Sequence, residues 1–237
     1  MKKEEILNRV NPLILKGVAH RGYHNKFYIE NGLDAFKNAI EHNFAFELDV
    51  HLTKDNKLIV CHDSNLLRTT GKEGIIEELT LEEIKNNFKL LNGEIIPTLE
   101  EVFDLTKERV PIVVELKPYS KTKNYKDLAL KVKEALKVIK DKRNIVLISF
   151  YPQCLYPFKD SGFIRSLLVD KKNSWVFALR CFFEGVDLEW ELLEKEKYQK
   201  VKQTKLVMCW TIENKEDYNK IKPYADSVTF QHFDITK

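Results

Sequence analysis

Residues 19–71 read AHRGYHNKFYIENGLDAFKNAIEHNFAFELDVHLTKDNKLIVCHDSNLLRTTG. In this stretch, short apolar runs with the character of β-strands end on polar side chains. Those side chains are His20 and Arg21, Glu47 and Asp49, and His62. Parallel α/β folds place their chemistry at the ends of strands. Two histidines, an arginine and two carboxylates are the groups that metal-assisted attack on a phosphate ester requires.

Strand-like segments alternate with helical patterns along almost the whole chain. The predicted strands are Gly17–His20, Phe44–Val50, Ile112–Lys117, Ile145–Phe150, Phe163–Val169, Gly185–Leu188, Leu206–Thr211 and Asp226–Phe230. The predicted helices between them are Gly32–His42, Leu99–Arg109, Tyr125–Lys140, Pro152–Ser161, Lys172–Phe182, Glu189–Lys202 and Lys215–Lys222. This alternation over 237 residues predicts a TIM (β/α)8 barrel in a single domain, 1–237. We expect an opening helix, Lys2–Val10, to cap the bottom of the barrel.

One segment interrupts this alternation after the second predicted strand. A turn at Lys54–Asn56 leads into a further short strand, Lys57–Cys61. The residues from about 64 to 96 are then partly helical and precede the next barrel strand. We therefore expect a small insertion there, on the side of the barrel where the second strand ends.

Composition argues against several classes of protein. The net charge of +3 comes from 39 basic and 36 acidic residues that are spread along the chain, so nothing indicates nucleic-acid binding. No apolar run reaches the length of about 18 residues that a membrane span needs, and the first residues do not resemble a signal peptide. We therefore expect a cytoplasmic protein without stable membrane insertion, and the oligomeric state is left open. Cys61 and Cys209 lie in apolar runs and are interpreted as small buried hydrophobic residues.

Spacing within the predicted strands indicates which side chains share a face. Because side chains alternate across a strand, the run 44–51 places its apolar residues on one face and Glu47 and Asp49 on the other. The run 112–117 groups Glu115 with Lys117 in the same way. In a barrel, the apolar faces would meet the helices and the carboxylates would point inward near the mouth.

Glu47, Asp49 and Glu115 would then form a cluster of hard oxygen ligands. Such a cluster suits one divalent metal, magnesium or calcium, better than zinc. The alternative is a buried ion-pair network in which Arg21 and Lys117 compensate the carboxylates without a metal. The third carboxylate and the two nearby histidines favour the metal site.

His20 and His62 are candidates for an acid–base pair, because imidazole exchanges protons near neutral pH. Arg21 offers a planar fork for phosphate oxygens. Phe150 and Trp210 follow predicted strand ends and are candidates for a substrate-contacting wall, although core packing is the usual role of aromatic residues. Asn31 precedes a predicted helix and is interpreted as its N-cap.

Several segments resemble, in their order and spacing, the glycerophosphodiester phosphodiesterase family. They are AHRG (19–22), ENGLDAFKNAI (30–40), FELDVHLTKDNKLIVCHD (46–63), LLRTTG (66–71), IPTLEEVF (96–103), VELK (114–117), ISF (148–150) and CWTIEN (209–214). The resemblance implies a phosphodiesterase barrel with one divalent metal and an insertion that helps to shape the substrate pocket. It also implies the following roles: His20 and His62 as the acid–base pair, Glu47, Asp49 and Glu115 as metal ligands, and Arg21 and Lys117 as groups that neutralise the phosphate.

The chain departs from the family pattern at a few positions. Ile29 stands where proline is common, and Gly32 where threonine or serine is usual. At the last strand, Gln231 and His232 replace the usual glycine-rich threonine–aspartate sequence, which puts the family's polar substrate contacts there in doubt.

Three functions are consistent with these residues. The first is hydrolysis of small-molecule glycerophosphodiesters to sn-glycerol 3-phosphate and an alcohol. The second is cleavage of lysophospholipids in the manner of a lysophospholipase D. The third is a barrel that binds a phosphorylated metabolite without catalysis, since the fold alone does not fix the function.

Overall fold

The strands of the computed structural model, which describes residues 2–236, lie side by side in one sheet. They are β1 (Val18–Ala19), β2 (Ala45–Leu52), β3 (Leu58–Val60), β4 (Ile112–Leu116), β5 (Ile145–Ser149), β6 (Ile164–Val169), β7 (Gly185–Glu189), β8 (Leu206–Ile212) and β9 (Ser227–Phe230). The order across the sheet is β1-β9-β8-β7-β6-β5-β4-β2-β3, and β1 also pairs with β2. This pairing closes the parallel strands into a barrel, and β3 lies outside it, antiparallel to β2. The predicted TIM barrel is confirmed.

Helices connect the strands around the outside of the barrel. They are α1 (Lys3–Leu7), α2 (Pro12–Lys16), α3 (Leu33–Glu41), α4 (Leu67–Thr70), α5 (Leu81–Asn87), α6 (Leu99–Thr106), α7 (Tyr125–Ala135), α8 (Pro152–Leu155), α9 (Glu196–Gln199) and α10 (Lys215–Ile221). Further 3-10 helices are Ile76–Glu78, Leu136–Val138, Lys142–Asn144, Tyr156–Phe158, Ser174–Phe182, Trp190–Glu194 and Lys200–Gln203. None of the helices within residues 2–236 has the length and apolar character that a membrane span requires.

The predicted helix Lys172–Phe182 is wrong in type, because its ordered part, Ser174–Phe182, is a 3-10 helix. Asn173 makes no capping hydrogen bond with its side chain, and the segment is rich in aromatic residues of modest helix propensity. The predicted helix Glu189–Lys202 likewise divides into 3-10 and α segments around the short helix α9.

Side-chain alternation divides the core into two layers. The outward side chains of the strands pack against the helices, and Phe46 of β2 stacks on Phe36 of α3 with ring centroids 4.7 Å apart. The inward side chains of the lower barrel form a separate apolar cluster with Ile6, Val10 and Ile14. The N-terminal segment therefore closes the bottom of the barrel, as predicted, although the first helix is shorter than Lys2–Val10.

The segment from 64 to 96 folds over the side of the barrel beyond β3. It contains α4 and α5 and has an apolar cluster that it shares with β3 and includes Leu66, Ile84 and Phe88. Thr80 caps α5, because its side chain accepts a hydrogen bond from the backbone of Glu83 while the Glu83 carboxylate accepts one from the backbone N–H of Thr80. The predicted insertion is therefore present, and the single-domain organisation over 1–237 stays a prediction.

Candidate active site

Two neighbouring strands bring three carboxylates together inside the mouth of the barrel. Glu47 and Asp49 lie on β2 and Glu115 on β4, with Asp49 and Glu115 opposite each other in the parallel register. Carboxylate oxygens of the three residues lie within 4.8 Å of one another, and the side chains are almost completely buried. The predicted grouping of these residues is confirmed.

Two residues with left-handed backbone conformations orient the carboxylates of β2. Arg21 has a φ of 53°, which directs its backbone N–H to Glu47 Oε2 at 3.0 Å. Asn31 has a φ of 59°, and its Nδ2 donates to Asp49 Oδ2 at 2.9 Å. Asn tolerates this conformation better than most residues. Each carboxylate is thus held by one oxygen, which leaves the other for a ligand.

Lys117 and Arg21 supply the positive charge around the cluster. Lys117 Nζ lies 3.3 Å from Oδ1 of Asp49 and 3.3 Å from Oε1 of Glu115. Burial alone would raise the pKa of Asp49, but Lys117, His62 and Arg21 hold it well below its usual range. Burial raises the pKa of Glu115 to about 7 despite the charge of Lys117.

The cluster fits a divalent cation. Within residues 2–236, Glu47 Oε1 and Asp49 Oδ1 accept no hydrogen bond although both are buried, and the ion pair of Asp49 with Lys117 lacks hydrogen-bond geometry. Burial and the charges of Asp49 and Glu115 raise the pKa of Glu47, and a cation between these groups would favour its ionised form. Buried carboxylate oxygens without partners are the hard ligands that magnesium and calcium bind.

The ring of His20 is fixed by a chain of polar contacts at the end of the last strand. Its Nδ1 lies 2.6 Å from Oε1 of Gln231, and Nε2 of Gln231 donates to Glu213 Oε1 at 2.6 Å. Since the amide oxygen only accepts, Nδ1 carries the proton and Nε2 has a free lone pair. Burial and the neighbouring Arg21 lower the pKa of His20 to about 3, so its ring is neutral.

The ring of His62 is held by a charged chain that crosses from the insertion to the first strand. His62 Nδ1 lies 2.6 Å from Asp63 Oδ1, and Arg68 Nε donates to the other oxygen of Asp63 at 2.6 Å. The two Nη atoms of Arg68 donate to both oxygens of Glu30, each at 2.8 Å. Glu30 in turn accepts from Arg21 Nη1 at 2.8 Å. This series of contacts therefore couples His62 to Arg21 through alternating charges.

Two adjoining cavities open at this end of the barrel. The smaller, of ≈100 Å³, is lined by both histidines, Arg21, Glu47, Glu115, Phe150 and Trp210, with Asp187 among the remaining residues. The larger, of ≈710 Å³, is lined by Lys117 and several aromatic residues, and it shares His62, Glu115 and Phe150 with the smaller one. The rings of Phe150 and Trp210 meet edge to face, with centroids 5.6 Å apart. The structure thus brings all the predicted site residues to one region.

Several residues of the site were missed in the sequence. The prediction that Asn31 is the N-cap of α3 is wrong. Gly32 occupies that position, and the Asn31 side chain binds Asp49. The role of Arg68 gave no spacing signal, because Arg68 reaches His62 only through Asp63. Gln231 stood out as a departure from the family pattern, but its contact with His20, 211 residues away in the sequence, could not be predicted. His232 packs against His24 with ring centroids 5.5 Å apart, and both line a separate surface hollow.

Comparison with known proteins agrees with these features. Residues 20–232 match the Glycerophosphoryl diester phosphodiesterase family. A glycerophosphodiester phosphodiesterase of Caldanaerobacter subterraneus is 33% identical over 89% of this chain and 91% of its own length. The crystal structure of a glycerophosphodiester phosphodiesterase from Thermotoga maritima has a TM-score of 0.74 and 30% identity, covering 90% of this chain and 92% of its own. One from Parabacteroides distasonis has a TM-score of 0.76 and 26% identity, covering 90% and 91%.

We expect Arg68→Met to weaken the response of stability to acid. Burial opposes ionisation of Glu30, but Arg68 and Arg21 lower its pKa from 4.5 to about 2. This stabilisation is complete above pH 4.5 and is lost as the pH falls towards 2. In the variant the folded pKa of Glu30 rises, so the loss of unfolding free energy between pH 6 and pH 3 should shrink by about 1 kcal/mol. Urea unfolding of the variant and the unsubstituted protein at pH 6 and pH 3 measures this loss of unfolding free energy.

Arg143→Met is the matched control, because Arg143 forms an exposed ion pair with Asp141 at 2.7 Å. Exposed pairs contribute little after screening by solvent. An equal change in both variants would contradict the role given to Arg68.

Proposed function

Because the chain belongs to the glycerophosphoryl diester phosphodiesterase family, we propose that it hydrolyses glycerophosphodiesters to sn-glycerol 3-phosphate and an alcohol with one bound divalent metal, magnesium or calcium. The protein is a phosphoric diester hydrolase, so the hypothesis of a barrel that only binds is set aside. The observation that carries the proposal is that two histidines, two cationic side chains and three carboxylates converge on the paired cavities.

The metal would be held by Glu47, Asp49 and Glu115, and within residues 2–236 Glu47 Oε1 and Asp49 Oδ1 accept no hydrogen bond that would compete with it. When bound, such an ion supplies positive charge that stabilises a phosphoryl oxygen in the transition state. Arg21 and Lys117 lie beside the same carboxylates and contribute further positive charge. The guanidinium of Arg21 is held in place by Glu30, so it is positioned before substrate binds.

The two histidines differ in what supports them, and this suggests different roles in proton transfer. The Nδ1–H of His20 is bound to an amide oxygen, which leaves the lone pair of Nε2 free to accept a proton from the nucleophile. Burial lowers the pKa of His62, but its Nδ1 contacts the carboxylate of Asp63, which opposes this effect and favours the protonated ring. We therefore assign proton withdrawal to His20 and proton delivery to the departing alcohol to His62.

The two cavities divide the substrate between them. Because His62, Glu115 and Phe150 line both, the phosphate lies where the cavities meet. The smaller cavity then takes the glycerol end, and the larger one has room for the alcohol.

The first test is release of glycerol 3-phosphate from glycerophosphocholine by metal-stripped protein with magnesium, calcium or EDTA added. We expect release with one of the two ions and none with EDTA. His20→Ala and His62→Ala should each lower kcat by roughly two to four orders of magnitude. His42→Gln is the control, because Nδ1 of His42 lies 2.9 Å from the backbone oxygen of Asn38 in its own helix and the residue lines neither cavity. Near-normal rates in both alanine variants would refute the mechanism.

The separate roles of the histidines can be tested by changing the leaving group. A p-nitrophenyl ester of glycerol 3-phosphate releases p-nitrophenolate, which is a stable anion and needs no proton in order to depart. On this substrate His62→Ala should retain activity within about tenfold of the unsubstituted protein, whereas His20→Ala should remain slow. Steady-state assays of both variants on both esters measure the difference, and the reverse pattern would exchange the two assignments.

A second candidate substrate is a lysophospholipid, which one feature of the larger cavity favours. Trp175 lines this cavity with 69% of its surface exposed, and Tyr156 lies there with 45% exposed. An acyl chain would cover this apolar surface.

If so, Trp175→Ser should lower kcat/KM for dispersed lysophosphatidylcholine about tenfold and leave that for glycerophosphocholine within about twofold. Phe182→Ser is the control, since Phe182 is 59% exposed but lies outside the cavity. Equal effects of Trp175→Ser on both substrates would count against an acyl-chain site.

A further inference from the structure

Asp187 is a buried carboxyl that no part of the proposed mechanism uses. It lies on β7, where its neighbours in register are Leu168 on β6 and Met208 on β8. Its exposure is 1%, and in the described part of the chain neither of its oxygens has a hydrogen-bond partner. The residue nevertheless lines the smaller cavity.

A carboxyl in this position destabilises the fold unless something binds it. Burial of a polar group without a partner is unfavourable, and the neighbouring side chains Leu168 and Met208 offer no hydrogen bond. Burial raises the pKa of Asp187 well above its ordinary value, and the charge of Glu115 adds to this effect. Asp187 is not among the three carboxylates whose oxygens cluster within 4.8 Å of one another.

The cavity restricts what the partner is. Its volume of ≈100 Å³ compares with about 30 Å³ for a water molecule in the liquid, so it admits only a small group. Apart from the groups that surround the phosphate, its lining includes Ile148, Leu168 and Phe150, which cannot satisfy a hydroxyl, and Thr211 and Thr229, which carry hydroxyls of their own. A hydroxyl group both donates and accepts, and it therefore satisfies a carboxyl in either protonation state.

We propose that Asp187 hydrogen-bonds a hydroxyl of the glycerol moiety and so makes the smaller cavity selective for glycerol phosphates. This inference rests on the proposed function and names a substrate-contacting residue for it. Within residues 2–236 the carboxyl of Asp187 has no hydrogen-bond partner, because its partner is part of the substrate.

The test compares two ligands that differ only in the glycerol moiety. Inhibition constants for sn-glycerol 3-phosphate and for inorganic phosphate are measured with the metal-loaded protein, with Asp187→Leu, which keeps the branching of the side chain, and with Asp187→Ala in case leucine overpacks the site. The variants should bind glycerol 3-phosphate about tenfold more weakly and inorganic phosphate within about twofold of the unsubstituted protein. Asp187→Asn can still donate and accept hydrogen bonds, so this variant should keep most of the affinity for glycerol 3-phosphate.

Thermal unfolding of the same variants separates binding from a structural role. Loss of an unpartnered buried carboxyl should raise the melting temperature of Asp187→Leu while affinity for glycerol 3-phosphate falls. Ser166→Ala is the matched control, because Ser166 also has a buried oxygen without a partner in residues 2–236 but does not line the cavity. It should leave both inhibition constants unchanged.

Unchanged affinity for glycerol 3-phosphate in the variants, or equal loss for both ligands, would overturn the inference. An effect confined to the KM of glycerophosphoethanolamine would also overturn it, by assigning Asp187 to an ammonium headgroup. These results leave the proposed function intact as long as the unsubstituted protein hydrolyses glycerophosphocholine, whereas failure of that hydrolysis refutes the proposed function itself.

Discussion

Mutual repulsion among three buried carboxylates is the constraint on which the rest of the site depends. Glu47, Asp49 and Glu115 lie inside the barrel with oxygens within 4.8 Å of one another, where water cannot screen them. Such a group is stable only if opposite charge and hydrogen bonds compensate it. Arg21 and Lys117 do so in part, and the two strained backbone positions at Arg21 and Asn31 exist to bring donors to the outer oxygens. Within residues 2–236, Glu47 Oε1 and Asp49 Oδ1 remain without a hydrogen bond, and a cation would fit beside them.

The same compensation links parts of the chain that are distant in sequence. Arg21 neutralises Asp49, Glu30 holds Arg21, and Arg68 holds Glu30 together with Asp63. Arg68 belongs to α4, so the insertion is anchored to the first strand by charge as well as by its own apolar cluster. The position of the His62 ring is therefore a property of the whole network, because Asp63 is fixed only while Arg68 is fixed.

The sequence predicts those parts of the site that follow from local periodicity. Glu47 and Asp49 share the inward face of β2 because side chains alternate, and Glu115 follows from the same pattern on β4. Asn31 was assigned wrongly because capping is a local preference, whereas its actual partner, Asp49, lies 18 residues away. The contacts of Arg68 and Gln231 were not predicted for the same reason, since their neighbours in the sequence do not indicate that Arg68 supports His62 through Asp63 or that Gln231 binds His20. The helix type of Ser174–Phe182 was missed because apolar periodicity does not distinguish an α-helix from a 3-10 helix.

The carboxylates of the site and the walls of the larger cavity come from different parts of the fold. The carboxylates that would hold the metal lie on strands that pair in register within the closed barrel, inside the range 20–232 that matches the family. The walls of the larger cavity come from loops and 3-10 segments, such as the one that carries Trp175, and they are free to vary without disturbing the carboxylates. Asp187 is intermediate, because it lies on a barrel strand but its side-chain oxygens have no hydrogen-bond partner within the described residues. A residue that the fold positions accurately but does not need is best explained by a ligand that does need it.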